Sequence, residues 1–342
     1  MGHRPITLSD IALRLNFSIV TISKALRDHP DISPKTTKLV KSAAKEMGYT
    51  PNLMARGLSA RKSHTIGVVV PKIAHFFFGS IIESIYKVAF DNNYEIILMV
   101  SQENAEIEKK HIQTLMAMKV DGIIISITQE TKDYDIFETV RKRSVPLVFM
   151  DRIPEIEDIN IVRVCDREGA FKAIEHAINL GYKRIAHFAG YDDINIGKLR
   201  YQGYAEAMEK YQLPIHPDWV VRGGFGDKYG YEAFMKLYNE NNLPDLIFCV
   251  TYPVALGVYQ AARELNIKIP DDVDVICFGN AKVQNFLNPP LSCIDQPTEQ
   301  IAERSMEILL ENINNPEESE KREIIVPTDL ILRGTCISYN KP

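Results

Sequence analysis

Thr7-Leu-Ser-Asp-Ile-Ala-Leu-Arg-Leu15, the pair Asn16-Phe17, and Ser18-Ile-Val-Thr-Ile-Ser-Lys-Ala-Leu26 read as two short helices joined by a tight turn. Thr7 caps the first helix, and Asp10 three residues on completes the spacing of a capping box and favours the positive helix end. Ile11, Ala12 and Leu15 share one apolar face. Ser18 caps the second helix, in which Ile22, Ala25 and Leu26 point inward and Ile19, Val20, Thr21, Ser23 and Lys24 lie nearer the surface. Ser33 and Pro34 open a third helix through Leu39, Val40, Ala43, Ala44 and Met47, and Gly48 stops it. Two helices around a turn, braced by a third, form a helix-turn-helix whose second helix enters the DNA major groove.

Charge agrees with that reading. Up to Lys62 there are 11 Lys and Arg against 4 Asp and Glu, so the whole-chain charge of −5 leaves −12 for the remainder. A basic head on an acidic body directs a polyanion to the head. At 342 residues, 45% of them hydrophobic, the chain exceeds one ordinary core and predicts two or three domains. No membrane span or signal peptide is visible, and the five cysteines (Cys165, Cys249, Cys277, Cys293 and Cys336) are odd in number and scattered. They predict buried thiols in a reducing cytoplasm, with no disulfide framework and no metal site.

After Thr65 short apolar runs alternate with amphipathic stretches. Strands are predicted at Ile66 to Val70, Glu95 to Val100, Gly122 to Ser126, Leu147 to Met150 and Ile161 to Val164, and again at Arg184 to Ala189, Trp219 to Arg222, Leu246 to Val250 and Val273 to Phe278. Helices are predicted near Gly79 to Asn92, Ala105 to Met118, Tyr134 to Arg143, Lys198 to Tyr211, Tyr229 to Asn241, Pro253 to Leu265 and Thr298 to Asn312, which makes two βα series and an α/β fold with two doubly wound parallel-sheet subdomains. Ligands of such sheets bind beyond the strand carboxyl ends, so the cleft between the subdomains is the expected pocket. No phosphate loop, nucleophile elbow or metal-spaced histidine pair is present, so no catalytic residue and no cofactor is nominated.

The helix-turn-helix stretches, with Ile32-Ser-Pro-Lys-Thr36, Met47-Gly-Tyr-Thr-Pro-Asn52, Ala55-Arg-Gly-Leu58, Ile66-Gly-Val-Val-Val-Pro71, Asn179-Leu-Gly-Tyr-Lys-Arg-Ile185 and Pro327-Thr-Asp-Leu330, closely resemble the LacI/GalR family of bacterial transcription regulators along essentially the whole chain. The resemblance implies a helix-turn-helix domain over 5–50 and a hinge helix and linker over 51–63. The core is of the periplasmic-binding-protein-like type I. Its N-terminal subdomain is expected over 64–163 and 294–323, and its C-terminal subdomain over 164–293 and 324–342.

By that resemblance the chain is a cytoplasmic homodimer that binds double-stranded operator DNA and a small carbohydrate-derived effector, and acts as a repressor. Thr7, Ser18, Ile19, Val20, Thr21, Ser23 and Lys24 are the implied DNA-binding residues of the head. Asn52, Arg56 and Leu58 are those of the hinge, with Leu58 as the minor-groove wedge. Ile19 and Val20 cannot make bidentate hydrogen bonds but can press on thymine methyls; the alternative is that Ile19 packs inside the head. For the effector the implied set is His75, Phe77, Asp151, Asp166, Lys198, Arg200, Thr251, Gly279 and Asn280.

Three of these depart from the family pattern. Thr251-Tyr252 stands where Asn-Asp is usual, Gly279-Asn280 where an aspartate is usual, and His75 where asparagine is common. Without the aspartate, an unneutralised Arg200 beside Lys198 would favour an acidic sugar or sugar phosphate. A neutral sugar held by Asp151, Asp166 and Thr251 stays open, as does a ligand-free core that only dimerises. A solute-binding protein would share the core but need an export signal and no basic head, and a sugar-modifying enzyme would need a catalytic pair.

Overall fold

The computed structural model describes residues 4, 6–50, 62–74, 76–316 and 321–339. The chain divides into two compact units, Met1–Ser63 and His64–Pro342.

In the first unit α1 (Leu8–Leu15), α2 (Ile19–Leu26) and α3 (Pro34–Met47) follow from their caps. Thr7 and Asp10 form the reciprocal capping box, Ser18 Oγ accepts from Thr21 N, and Ser33 Oγ accepts from Thr36 N. Asn16 turns the chain in the left-handed region, which asparagine tolerates better than most residues. Ile11, Ala12, Ile22, Ala25, Val40 and Ala44 form the small core. Such a core leaves stability dependent on the caps: Ser33→Ala is expected to cost about 1 kcal/mol, read as roughly fivefold faster hydrogen exchange of the α3 amides.

The second unit holds two six-stranded sheets. Strand order in the first is β11-β5-β4-β3-β1-β2, and in the second β12-β10-β9-β8-β6-β7. The strands are β1 (Thr65–Val70), β2 (Glu95–Val100), β3 (Gly122–Ile125), β4 (Leu147–Met150), β5 (Asn160–Val164) and β11 (Glu323–Val326), then β6 (Ile185–Ala189), β7 (Val220–Arg222), β8 (Leu246–Cys249), β9 (Asp274–Phe278), β10 (Ser292–Asp295) and β12 (Asp329–Ile331). All pairings are parallel except β10 with β12. Val148, Phe149 and Met150, or Ile247, Phe248 and Cys249, are fully buried because helices cover both sheet faces. The helices are α4 (Phe76–Asp91), α5 (Ala105–Ala117), α6 (Asp135–Lys142), α7 (Asp166–Leu180), α8 (Asn195–Lys210), α9 (Asp227–Asn239), α10 (Tyr252–Glu264) and α11 (Thr298–Asn314).

The crossings between the sheets differ from the expected boundaries by one to three residues. Val164 still belongs to the first sheet and Asp295 to the second, and β11 pairs with β5 through Val326↔Val164. The chain therefore makes its last crossing at 327–328 and not at 323/324. In-register pairing along β5 sets that limit, which a hydrophobicity pattern does not reveal. Helix α7 had no counterpart among the expected helices. Its Gly169, Ala170 and Ala173 are small because they pack close to the second sheet and α8, and small residues weaken an amphipathic signal.

Candidate nucleic-acid interface and effector cleft

On the head, the start of α2 presents its apolar residues to solvent: Ile19 is 49% and Val20 64% exposed. The alternative that Ile19 packs inside is thereby removed. Both side chains are β-branched and stiff, so this surface is preformed. Thr7 and Ser18 spend their hydroxyls on capping, Ser18 Oγ lying 2.8 Å from Thr21 Oγ1. Ser23 receives Arg27, and Lys24 Nζ lies 2.6 Å from Asp31. The exposed Lys24–Asp31 ion pair contributes little to stability and leaves the lysine free to exchange partners. Asn52, Arg56 and Leu58 lie outside the described residues, as does His75.

In the second unit the carboxyl ends of eight strands converge on one cavity. Lys72 follows β1, Glu103 β2, Gln129 β3, and Asp151 and Arg152 β4; Phe225 follows β7, Thr251 β8 and Gln296 β10, while Phe278 ends β9. The space between the lining atoms is about 580 Å³, its open mouth included. This is the crevice at the switch points of both sheets, where β1 meets β3 and β6 meets β8.

Asp151 is the distinctive group. Its backbone sits at φ +61°, held there by its N–H to Val162 O at 3.0 Å and by Asn195 Nδ2 to its carbonyl at 2.8 Å. A non-glycine residue in that region persists only when its surroundings enforce it. The Asp151 carboxylate makes no hydrogen bond among the described residues, and burial pushes its pKa up to about 6 against the pull of Arg152 and Arg200. Gln129, Gln296 and Lys72 also line the space without a side-chain partner among the described residues. One anion, one cation and two amides are thus available to a ligand, between the aromatic walls Phe77, Phe225, Tyr252 and Phe278.

The arginines are already neutralised. Arg200 and Asp166 are each 1% exposed and meet at 2.8 Å, and Arg200 also donates to Val250 O and lies 3.8 Å from the Phe278 ring centroid. The expectation of an unneutralised Arg200 is corrected: Asp166, at the start of α7, reaches it from a helix the sequence pattern did not show. Asp166 stands behind Arg200 and does not line the cavity. Arg152, which the sequence reading missed, binds Glu103 through both carboxylate oxygens and lies 4.9 Å from the Phe225 ring. Glu103 continues to Gln129 N, and the adjacent Glu108 accepts from Thr128 N and Thr131. Burial pushes Glu108 up to about 7.

Lys198 turns to Glu155 at 3.0 Å outside the cavity, and Asn280 turns to Arg333 at 2.8 Å. Phe77 lines the cavity, as do Arg200 and Thr251. The Thr251 hydroxyl donates to Phe225 O and caps α10. Gly279, at φ +93°, does not line the space, and a Cβ there would meet Gln296 Oε1 at 3.1 Å. The aspartate usual here would therefore be strained as well as crowded.

Hydrogen bonds join the two walls of the cleft, beside the Lys198–Glu155 and Lys132–Asp193 ion pairs and the Arg152–Phe225 contact. Tyr252 accepts from Phe76 N at 2.8 Å, and Asn195 bridges Asp151 O and Ile153 N with the two ends of its amide. Tyr252, which replaces the usual aspartate, serves as a strut between subdomains.

The pattern described as bacterial regulatory proteins, lacI family, matches residues 7–52, and that of periplasmic binding proteins and the sugar binding domain of the LacI family matches 63–334. The HTH-type transcriptional repressor PurR of Pasteurella multocida is 32% identical over 97% of this chain and 99% of its own length. Catabolite control protein A of Priestia megaterium is 31% identical over 90% and 93%. Among solved structures, the lac repressor dimer bound to operator and the anti-inducer ONPF superposes with a TM-score of 0.85 at 24% identity, over 98% of this chain and 100% of that one. The transcriptional regulator CelR–cellobiose complex gives 0.73 at 24% identity, over 96% and 99%. With both halves of its architecture matched, the chain belongs to the LacI family of bacterial regulatory proteins.

Proposed function

We infer that the protein is a sequence-specific, DNA-binding transcriptional repressor whose operator affinity is set by a small molecule in the cleft. The observation that carries this reading is the solvent-facing pair Ile19 and Val20 at the start of the second helix of a turn-linked pair. Burying them in the major groove against thymine methyls removes apolar surface from water. A homodimer is supported by the apolar outer face of α4, where Tyr86 and Phe90 stack at 6.2 Å and are both exposed, beside Leu98 on the edge strand β2. Two heads then read two half-sites of a palindrome. A cytoplasmic location follows from a DNA target, and no helix among the described residues is long and apolar enough to cross a membrane. The named relatives are regulators, and the cleft's charges are paired or stand alone as binding groups, so a binding role and not catalysis is inferred.

For the effector, the neutral alternative gains support over the acidic one. With Arg200 and Arg152 each paired to a carboxylate, the cleft has no surplus of positive charge to offset an anion. An uncharged polyhydroxylated molecule fits its unpaired groups, with hydroxyls donating to Asp151 and accepting from Gln129 or Gln296. Because those hydroxyls stabilise the ionised carboxylate, binding lowers the Asp151 pKa from about 6. Affinity therefore rises with pH up to about 6 and levels off above it, with binding about tenfold weaker at pH 5 than at pH 7. Asp151→Asn abolishes that dependence and weakens binding at least tenfold, by calorimetry; an unchanged pH profile removes Asp151 from the site. The whole reading is tested by fluorescence anisotropy on palindromic operators at two salt concentrations, with neutral and acidic sugars. No preference over random DNA at low salt would overturn it.

A further inference from the structure

A second cavity lies at the other end of the first sheet, where the amino ends of β4 and β5 meet the last turn of α11. The space is about 720 Å³ with its mouth, floored by apolar residues including Phe149 and Ile159 and rimmed by Arg141 and Lys321. Facing it is Asn312, which is 4% exposed and whose amide makes no hydrogen bond among the described residues. Its neighbours on the buried side of α11, Ile308, Leu309 and Ile313, are apolar, so packing alone calls for leucine here. Asparagine is also a poor helix former. Asn160 beside it is occupied: its Nδ2 donates to Leu147 O at 3.3 Å and its Oδ1 accepts from Arg322 N at 3.2 Å. That ties the strand ends together, whereas the Asn312 amide lines the cavity with no hydrogen-bond partner among the described residues.

We propose that this cavity is a second small-molecule site, separate from the effector cleft, for a flat ligand that presents a donor and an acceptor side by side. Aromatic carboxamides, lactams and aminoheterocycles have that edge, and an asparagine amide pairs with it through two hydrogen bonds in one plane, as it does with the N6/N7 edge of adenine. The ring then lies against Phe149 and Ile159. The site shares its sheet edge with the start of β1, where His64 N donates to Asp121 at 2.8 Å. Strand β4 is two places from β1, roughly 10 Å. The occupant therefore sits near the point at which the chain from the head enters the core, while the effector cleft lies at the opposite ends of the same strands.

The test is a titration of full-length protein, labelled at isoleucine δ1 methyls, with benzamide, and with N,N-dimethylbenzamide as the control that lacks N–H donors. The Ile159 methyl, assigned through Ile159→Val, is expected to shift saturably with benzamide. Binding should be at least tenfold weaker for the dimethyl compound and in Asn312→Leu, and unchanged in Asp151→Asn. Asn312→Asp, which keeps a polar side chain of the same size but removes the N–H donors, should show the same loss and guards against a folding defect in the leucine variant. No shift at Ile159 in the unmodified protein, equal binding of both compounds, or a benzamide response that survives both Asn312 variants would overturn the proposal.

Discussion

Asp166→Ala is expected to lower the stability of the core by about 3–5 kcal/mol. The cost comes less from a lost attraction than from what is left behind. Arg200 is sealed from solvent with its guanidinium against Phe278, and Val250 O is the other acceptor it uses. Without Asp166 a full positive charge remains in that setting, and a guanidinium does not shed its proton to escape it. The pair itself is imperfectly compensated. Asp166 Oδ2 is buried without a partner among the described residues, and burial raises the Asp166 pKa despite the nearby Arg200. The double variant Asp166→Leu/Arg200→Met, which removes both charges and keeps most of the volume, is therefore expected to be far closer to the parent in stability. Urea midpoints at constant slope measure both. A single-variant loss below about 1 kcal/mol would mean that water reaches Arg200 and that the pair behaves as a surface one.

Replacing Ile19 and Val20 together with alanine is expected to weaken operator binding on the order of a hundredfold, at about 1–2 kcal/mol for each lost contact. The head should fold as before, because both side chains face solvent and the residues that close its core, Ile22 and Ala25, are untouched. Non-specific binding and its salt dependence should also be preserved, since every lysine and arginine remains. Specific and random duplexes measured side by side separate the two terms. Uracil in place of the contacted thymines should reproduce part of the loss in the parent and none in the variant. A variant that binds operator and random DNA with equal proportionate loss would assign Ile19 and Val20 to head stability and not to base reading.

The βα rhythm of the core was legible because doubly covered parallel strands are continuous apolar runs, as at Val68 to Val70 and Leu246 to Val250. The head was legible for a different reason: its caps are local, and Thr7, Ser18 and Ser33 each act within three residues. The cleft was only half legible. Asp151, Arg200 and Thr251 stand directly after strands or on the expected helix, whereas Arg152 acquires its meaning from Glu103, 49 residues away, and from Phe225 across the cleft. Charge placement at Arg200 was misjudged because its partner arrives on α7, whose glycine and alanines carry packing that periodicity does not report. Lys198 was drawn toward the site by its closeness in sequence to Arg200, but two positions along a helix point nearly opposite ways.

The strut from Tyr252 to Phe76 and the Asn195 bridge have a kinetic meaning. Both join the two walls of the cleft, so a solute too large for its open mouth reaches Asp151 only when they part. The rate of uptake is then governed by how often these bonds part. It should climb with solute concentration only until it meets the opening frequency, and then stay flat, however much more is added.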